Sequence, residues 1–124
     1  FGESKIKRRD FLHVLLVHAV GERALGIQSS QIAAIANWAK KEFGESVQLT
    51  SVGPRLSVAA RIATVQTDAI KSVVLHEPMK SLKSVIKENK GANHLPEMMC
   101  FGLLEYFDLP QIEALTAPRK VVKK

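Results

Sequence analysis

The chain has 124 residues, 46% hydrophobic, 24% charged and 6% aromatic, a globular composition that argues against disorder, collagen and coiled coil. The length suits one domain burying roughly two-thirds of its unfolded surface. The single cysteine, Cys100, excludes a disulfide framework or a cysteine-rich metal module, and no apolar run approaches the roughly 20 residues of a membrane span.

The net charge is +6, and much of it gathers at the ends, in Lys5, Lys7, Arg8 and Arg9 and in Arg119, Lys120, Lys123 and Lys124. No aromatic residue interleaves with these clusters, so nucleic acid is not the expected partner. They read as basic tails, residues 1–10 and 123–124, around one domain at 11–122. There is no HExxH, no histidine pair at helical spacing and no glycine-rich phosphate loop, so no metal or cofactor is expected. The chain opens on Phe1 rather than Met. It therefore reads as part of a longer polypeptide, any signal peptide would lie upstream, and the compartment stays open.

In chain order, FLHVLLVHAV at 11–20 is a short, almost continuous apolar run, the pattern of a strand buried on both faces. Gly21 ends it and GERALGIQ follows as a loop. Residues 30–43 predict a helix with Ile32, Ile35, Ala36, Ala39 and Phe43 on one face. Ser29 or Ser30 is its expected cap and Gly44 its left-handed stop. VQLTSV at 47–52 predicts a strand and Gly53-Pro54 its end. Residues 57–67 predict a helix capped by Ser57, with Ala59, Ile62, Ala63 and Gln66 on one side. KSVVLH at 71–76 predicts a further strand.

Beyond it, Ser81 caps a short helix with Leu82, Val85 and Ile86 inward and Gly91 as stop. Pro96 opens a helix over 97–107. Asp108 and Gln111 have capping-box spacing for a last helix at 109–116. Val121 and Val122 can start another strand. The expected fold is α/β, a three-layer parallel sheet with flanking helices and right-handed crossovers. Function in such sheets sits at the carboxyl ends of the strands, here His18–Gly21, Gly53–Ser57 and His76–Pro78.

Gly53-Pro54-Arg55-Leu56-Ser57 lies where a sharp strand-to-helix turn can present a nucleophile. The segments FLHVLLVHAV, GERALGIQSSQIAAIANWAKK, VQLTSVGPRLSVAA and SVVLHEP, and above all FGLLEYFDLPQIEALTAPRKV, resemble part of an α/β-hydrolase. The likeness spans about residues 11–122 and is strongest to bacterial acetyl-xylan-esterase-like proteins. The resemblance puts the nucleophile at Arg55, and arginine is no nucleophile. It makes the Leu56 amide one oxyanion donor, and it places the other donor and the acid and histidine outside this chain. The implied reading is an esterase-like segment that is catalytically incomplete. Two alternatives stand beside it: a module that binds an anionic partner through its basic surface or Arg55, and a carbohydrate esterase active in the full-length protein. The implied partner is the remainder of a larger chain, or a second copy paired through an exposed sheet edge.

Each candidate has a plain reading beside a chemical one. Ser57 is a helix cap or a displaced nucleophile. His76 is a hydrogen-bonded strand-end histidine or a base. His13 and His18, five apart in a strand, point to opposite faces and share no metal. His94 caps the following helix. Glu22 and Arg23 are solvated loop charges, a pair, or the lining of a cleft. Cys100 is a small buried hydrophobe in an apolar segment that could cover a ligand pocket. Arg55 beside a helix N-terminus suits an anion.

Overall fold

In the structure, a computed structural model, residues 9–124 are described; Lys5, Lys7 and Arg8 of the expected N-terminal tail lie outside them. The first correction is FLHVLLVHA. It forms a helix, α1 (Arg9–Ala19), rather than a strand. Val14 is buried, and Phe11, Val17 and His18 are half-buried on the same helical face. A continuous apolar run of this length fits a buried strand or a helix equally well. Among the described residues no strand lies beside it to satisfy its backbone, and a helix satisfies its own.

Helix α2 (Ala24–Phe43) begins six residues before the expected start and absorbs most of the supposed loop. Its N-cap is Arg23, not a serine. Ser29 is buried inside the helix and donates to the Leu25 carbonyl at 2.6 Å. Gly44 takes the left-handed C-cap with φ 74°. Ala33 and Ala36 are buried and Ile32 and Ala39 half-buried, but Ile35 and Phe43, expected inward, are exposed. The buried arc follows the small side chains. Ala36 on α2 clusters with Ala60 and Ala63 of the next helix, so the backbones can approach closely.

Strand β1 (Val47–Val52), helix α3 (Pro54–Gln66) and strand β2 (Ile70–His76) form a β-α-β unit. Then come α4 (Lys83–Lys87), a 3₁₀ turn (Pro96–Met98), α5 (Leu103–Tyr106), α6 (Leu109–Ala114) and β3 (Lys120–Lys123). The helix expected over 97–107 is broken in two, because Gly102 sits at φ 81° between the 3₁₀ turn and α5. Ile86, expected inward on α4, is exposed, while Leu82 and Val85 are buried. The capping box of Asp108 and Gln111 is present. β3 runs through Lys123, so it takes in one of the two residues expected as a tail.

The three strands are parallel in the order β1-β2-β3. One register shift near Val47 leaves Lys71 outward and returns Ile70 to the core. Val47, Leu49, Ile70, Val73, Leu75 and Val121 face α2 and α3. The other face carries Gln48, Thr50, Val52, Ser72, Val74, His76 and Val122, none of them in a core cluster among the described residues. The expected three layers are therefore a sheet with helices on one side. Both crossovers step the same way along the sheet, and right-handed connections stepping the same way lie on the same face.

A second core lies beyond α3, where Leu25, Val58 and Ala59 meet Met79, Leu82, Val85, Leu95, Met98, Leu109 and Ile112. Arg61 joins the pieces. It is 1% exposed. Its Nε donates to Glu113 Oε1 at 2.7 Å, one terminal nitrogen donates to the carbonyl and hydroxyl oxygens of Ser57 at 3.0 Å each, and the other donates to the Met79 carbonyl at 3.2 Å. Lys123 reaches Glu113 Oε2 at 2.8 Å. Arg61→Met should lower unfolding stability by about 3–5 kcal/mol, read from urea midpoints, because Glu113 then keeps a half-compensated charge.

Two carboxylates set the acid limit. Burial alone raises Glu113, but hydrogen bonds from Lys123 and Arg61 and their charges outweigh it and hold the group below its ordinary value. Burial also raises Asp108, and the Ser81 hydroxyl, the Leu82 and Leu109 amides and the Lys83 charge outweigh that too. A depressed folded pKa contributes stability above the unfolded value of about 4. That contribution is lost as pH falls through the lower folded values. Urea midpoints should therefore be flat above about pH 5 and drop below about pH 4. Glu113→Gln and Asp108→Asn should each flatten that drop.

Candidate functional site

The carboxyl end of β1 turns sharply into α3. Gly53 takes φ 87° and ψ 162°, a conformation that a side chain would strain. Pro54 follows at the first helical position, where its missing N–H is no loss. Arg55, Leu56 and Ser57 therefore occupy the first turn of α3. This places helix and side chains three residues earlier than the sequence pattern does, and Ser57 is not the cap.

Arg55 projects over a pocket of about 340 Å³ with Gln28, Val52, Leu56 and Glu97 around it. Its guanidinium grips Glu97 side-on with two donors, Nε to Oε1 at 2.5 Å and a terminal nitrogen to Oε2 at 2.8 Å. Glu97 is 4% exposed and Arg55 42% exposed. A buried carboxylate needs a partner of this kind, and the fork of arginine matches both oxygens. The charge that could attract an anion is thus largely met from inside the fold.

Ser57 is fully buried. Its hydroxyl donates to the Pro54 carbonyl at 2.7 Å and accepts from Arg61 and from the Met79 amide, each at 3.0 Å. The serine ties the first turn of α3 to the chain beyond β2. The residue is fully buried, and among the described residues its hydroxyl bonds to no histidine or carboxylate.

His76 pairs with Val52 across the sheet, and its carbonyl accepts from the Gly53 amide at 2.9 Å. Its ring lies on the face opposite the helices, so the sheet separates it from Ser57. Leu56 is exposed, and its amide is among those a helix start leaves without an internal acceptor. The structure thus gathers Gly53, Arg55 and Leu56 at one turn, buries Ser57 beneath it and leaves His76 on the far side.

The remaining candidates are dispersed. His18, now on α1, stacks edge-on to Phe101 at 6.0 Å, and its Nε2 is buried without a hydrogen bond. His13 is exposed on the same helix. His94 is exposed, and the 3₁₀ turn after it has no side-chain cap, which corrects the capping assignment. Arg23 donates to the carbonyls of Gly21 and Glu22 at 3.4 and 2.9 Å, and it lines with Glu22 an open groove along the start of α2. Cys100 is half-buried in the wall of an apolar pocket of about 320 Å³ formed by α4, the 3₁₀ turn and α5. Burial pushes its thiol up, with Arg23 opposing in part, so it is a poor source of thiolate.

Sequence reasoning missed Glu97 and Arg61. Both carried a signal. Glu97 is the lone charge in an apolar LPEMMCF stretch, and Arg61 is the lone charge in the mostly apolar stretch VAARIATV at 58–65. Charges in such places are almost never buried unless paired. Among the described residues no group of three or more histidine, cysteine or acidic side chains could hold a metal, and no helix is long and apolar enough to cross a membrane. No family model, curated protein or solved structure matches the chain.

Proposed function

We propose that this chain is an α/β-hydrolase-like segment without covalent catalysis, in which the turn that would carry a nucleophile has become a structural joint. The bidentate contact between Arg55 and buried Glu97 carries the reading. Arginine stays protonated and cannot attack a carbonyl. Here it also spends two donors, Nε and one terminal nitrogen, on a carboxylate. The nearest hydroxyl, Ser57, is buried and committed to three partners. The histidine at the neighbouring strand end lies across the sheet. An acyl-transfer site needs nucleophile, base and oxyanion donors within hydrogen-bond reach of one another, and this arrangement supplies only an amide.

The chain should not hydrolyse a fluorogenic acetyl ester above the buffer rate, and a fluorophosphonate should leave its intact mass unchanged. Arg55→Ser should stay inactive, because an unactivated hydroxyl is a poor nucleophile. Stoichiometric labelling of Ser57 that disappears in Ser57→Ala would overturn the proposal.

The joint itself is measurable. Arg55→Ala should destabilise the fold by about 1–3 kcal/mol, because Glu97 is left buried without its donors. Adding Glu97→Met should restore much of that loss, since replacing both partners removes the unpaired charge. An equal or larger loss in the double variant would show that the pair is not what holds this turn.

A further inference from the structure

We propose that the chain forms a symmetric dimer in which β1 pairs with β1 of a second copy, antiparallel across a two-fold axis. The two three-stranded sheets become one, and the Ile35–Trp38 flanks of α2 meet over the joint. The argument starts from the two edges of the sheet. β2 occupies one side of β1, and no described strand lies on the other. β3 forms the opposite edge, and it carries Lys120 and Lys123, followed by Lys124. Lysines on an edge strand discourage pairing. β1 reads VQLTSV, six residues with no charge, no proline and no glycine. It has the composition of an interior strand at an edge position.

The neighbouring helix points to the same place. Gln28 of α2 lines the pocket beside Val52 and Gly53, at one end of β1. Ile32 packs into the cluster that holds Val47 and Leu49. Ile35 lies two turns from Gln28 on the same flank, so that flank runs along β1. Ile35 is 65% exposed and Trp38, one turn on, 59% exposed. An apolar flank beside an uncharged strand edge that no described strand covers makes one continuous surface.

A second copy fits this surface better than a charged partner. The chain carries +6, so its copies repel over most orientations. The edge of β1 has no charge to repel another. An acidic partner would be drawn to the lysines of β3 instead. A two-fold axis perpendicular to the sheet keeps the helices of both copies on one side and places like faces together. It also brings each Trp38 and Ile35 toward those of the other copy. A standard interface takes about 800 Å² from each partner. A six-residue edge with Trp38 and Ile35 above it is smaller than that, which fits a weak dimer that forms only at high protein concentration.

The test uses the chain's only tryptophan as a local reporter. Sedimentation equilibrium from micromolar to millimolar protein should show a monomer–dimer equilibrium. Over the same concentrations Trp38 emission should shift to the blue and acrylamide quenching should fall. Gln48→Lys with Thr50→Lys places ammonium groups opposite one another across the two-fold axis, on side chains that are exposed in the monomer. It should weaken the dimer about a hundredfold or more. Ile35→Asp should weaken it through the helix flank. Val122→Lys, on the same sheet face at the far edge, should leave it unchanged. A monomer throughout overturns the proposal. So does a dimer equally tight in the natively folded Gln48→Lys/Thr50→Lys variant, or a dimer that leaves Trp38 emission where it was.

Discussion

Arg61 is the constraint on which the rest of the structure depends. It sits in the middle of α3 with almost no contact with water, and its five donors could not be buried there without acceptors. Those acceptors come from three stretches of chain: Ser57 on its own helix, Met79 after β2 and Glu113 on α6. Glu113 in turn takes Lys123 from β3. One buried cation therefore fixes where the chain leaves β2, where α6 lies and how the last strand returns to the sheet. Hydrophobic contact alone would bring these segments together without setting their angle, because it has no direction. The guanidinium supplies the direction.

The same winding that creates this crowded side leaves the other side of the sheet open. Both crossovers move from β1 toward β3, and under the right-handed rule for such connections α3 and the α4–α6 region share one face. The buried polar groups of α3 are therefore gathered on that face. Ser57, Arg61 and Thr64 are buried there with their hydrogen bonds made. Thr50, Val52 and His76 look outward from the other face. The two groups that a reader of the sequence would most readily join, Ser57 and His76, are parted by the sheet itself.

Much of the fold was legible because its signals were local. The β1-α3-β2 order, the parallel pairing, the glycine stop after α2, the capping box before α6 and the final strand all follow from residues adjacent to the features they set. The failures share a cause. FLHVLLVHAV could be a strand or a helix by composition, and only the lack of a neighbouring strand decides it. Ile35, Phe43 and Ile86 are apolar and exposed, since which arc of a helix is buried depends on where the next element lies. At the candidate site, the turn at Gly53 and the arginine in its middle were visible in five residues. The partner of Arg55 was not, because Glu97 is 42 residues away and the contact is purely tertiary.

Arg55 and Arg61, six positions apart on one helix, explain together why this turn serves structure. A nucleophile at such a turn must be exposed, mobile enough to react and next to a base, and each of these demands weakens the local fold. Here the first turn of α3 is held at both ends. Arg55 anchors it to the 3₁₀ turn through Glu97, and Ser57 anchors it to Arg61 and to the chain after β2. Placing a serine at 55 would remove the first anchor while the second still kept the nearby hydroxyl buried. Reactivity at this place therefore requires undoing two tertiary contacts as well as changing one residue, and the turn is most economically understood as the point where β1, α3 and the apolar cluster around Met98 are fastened together.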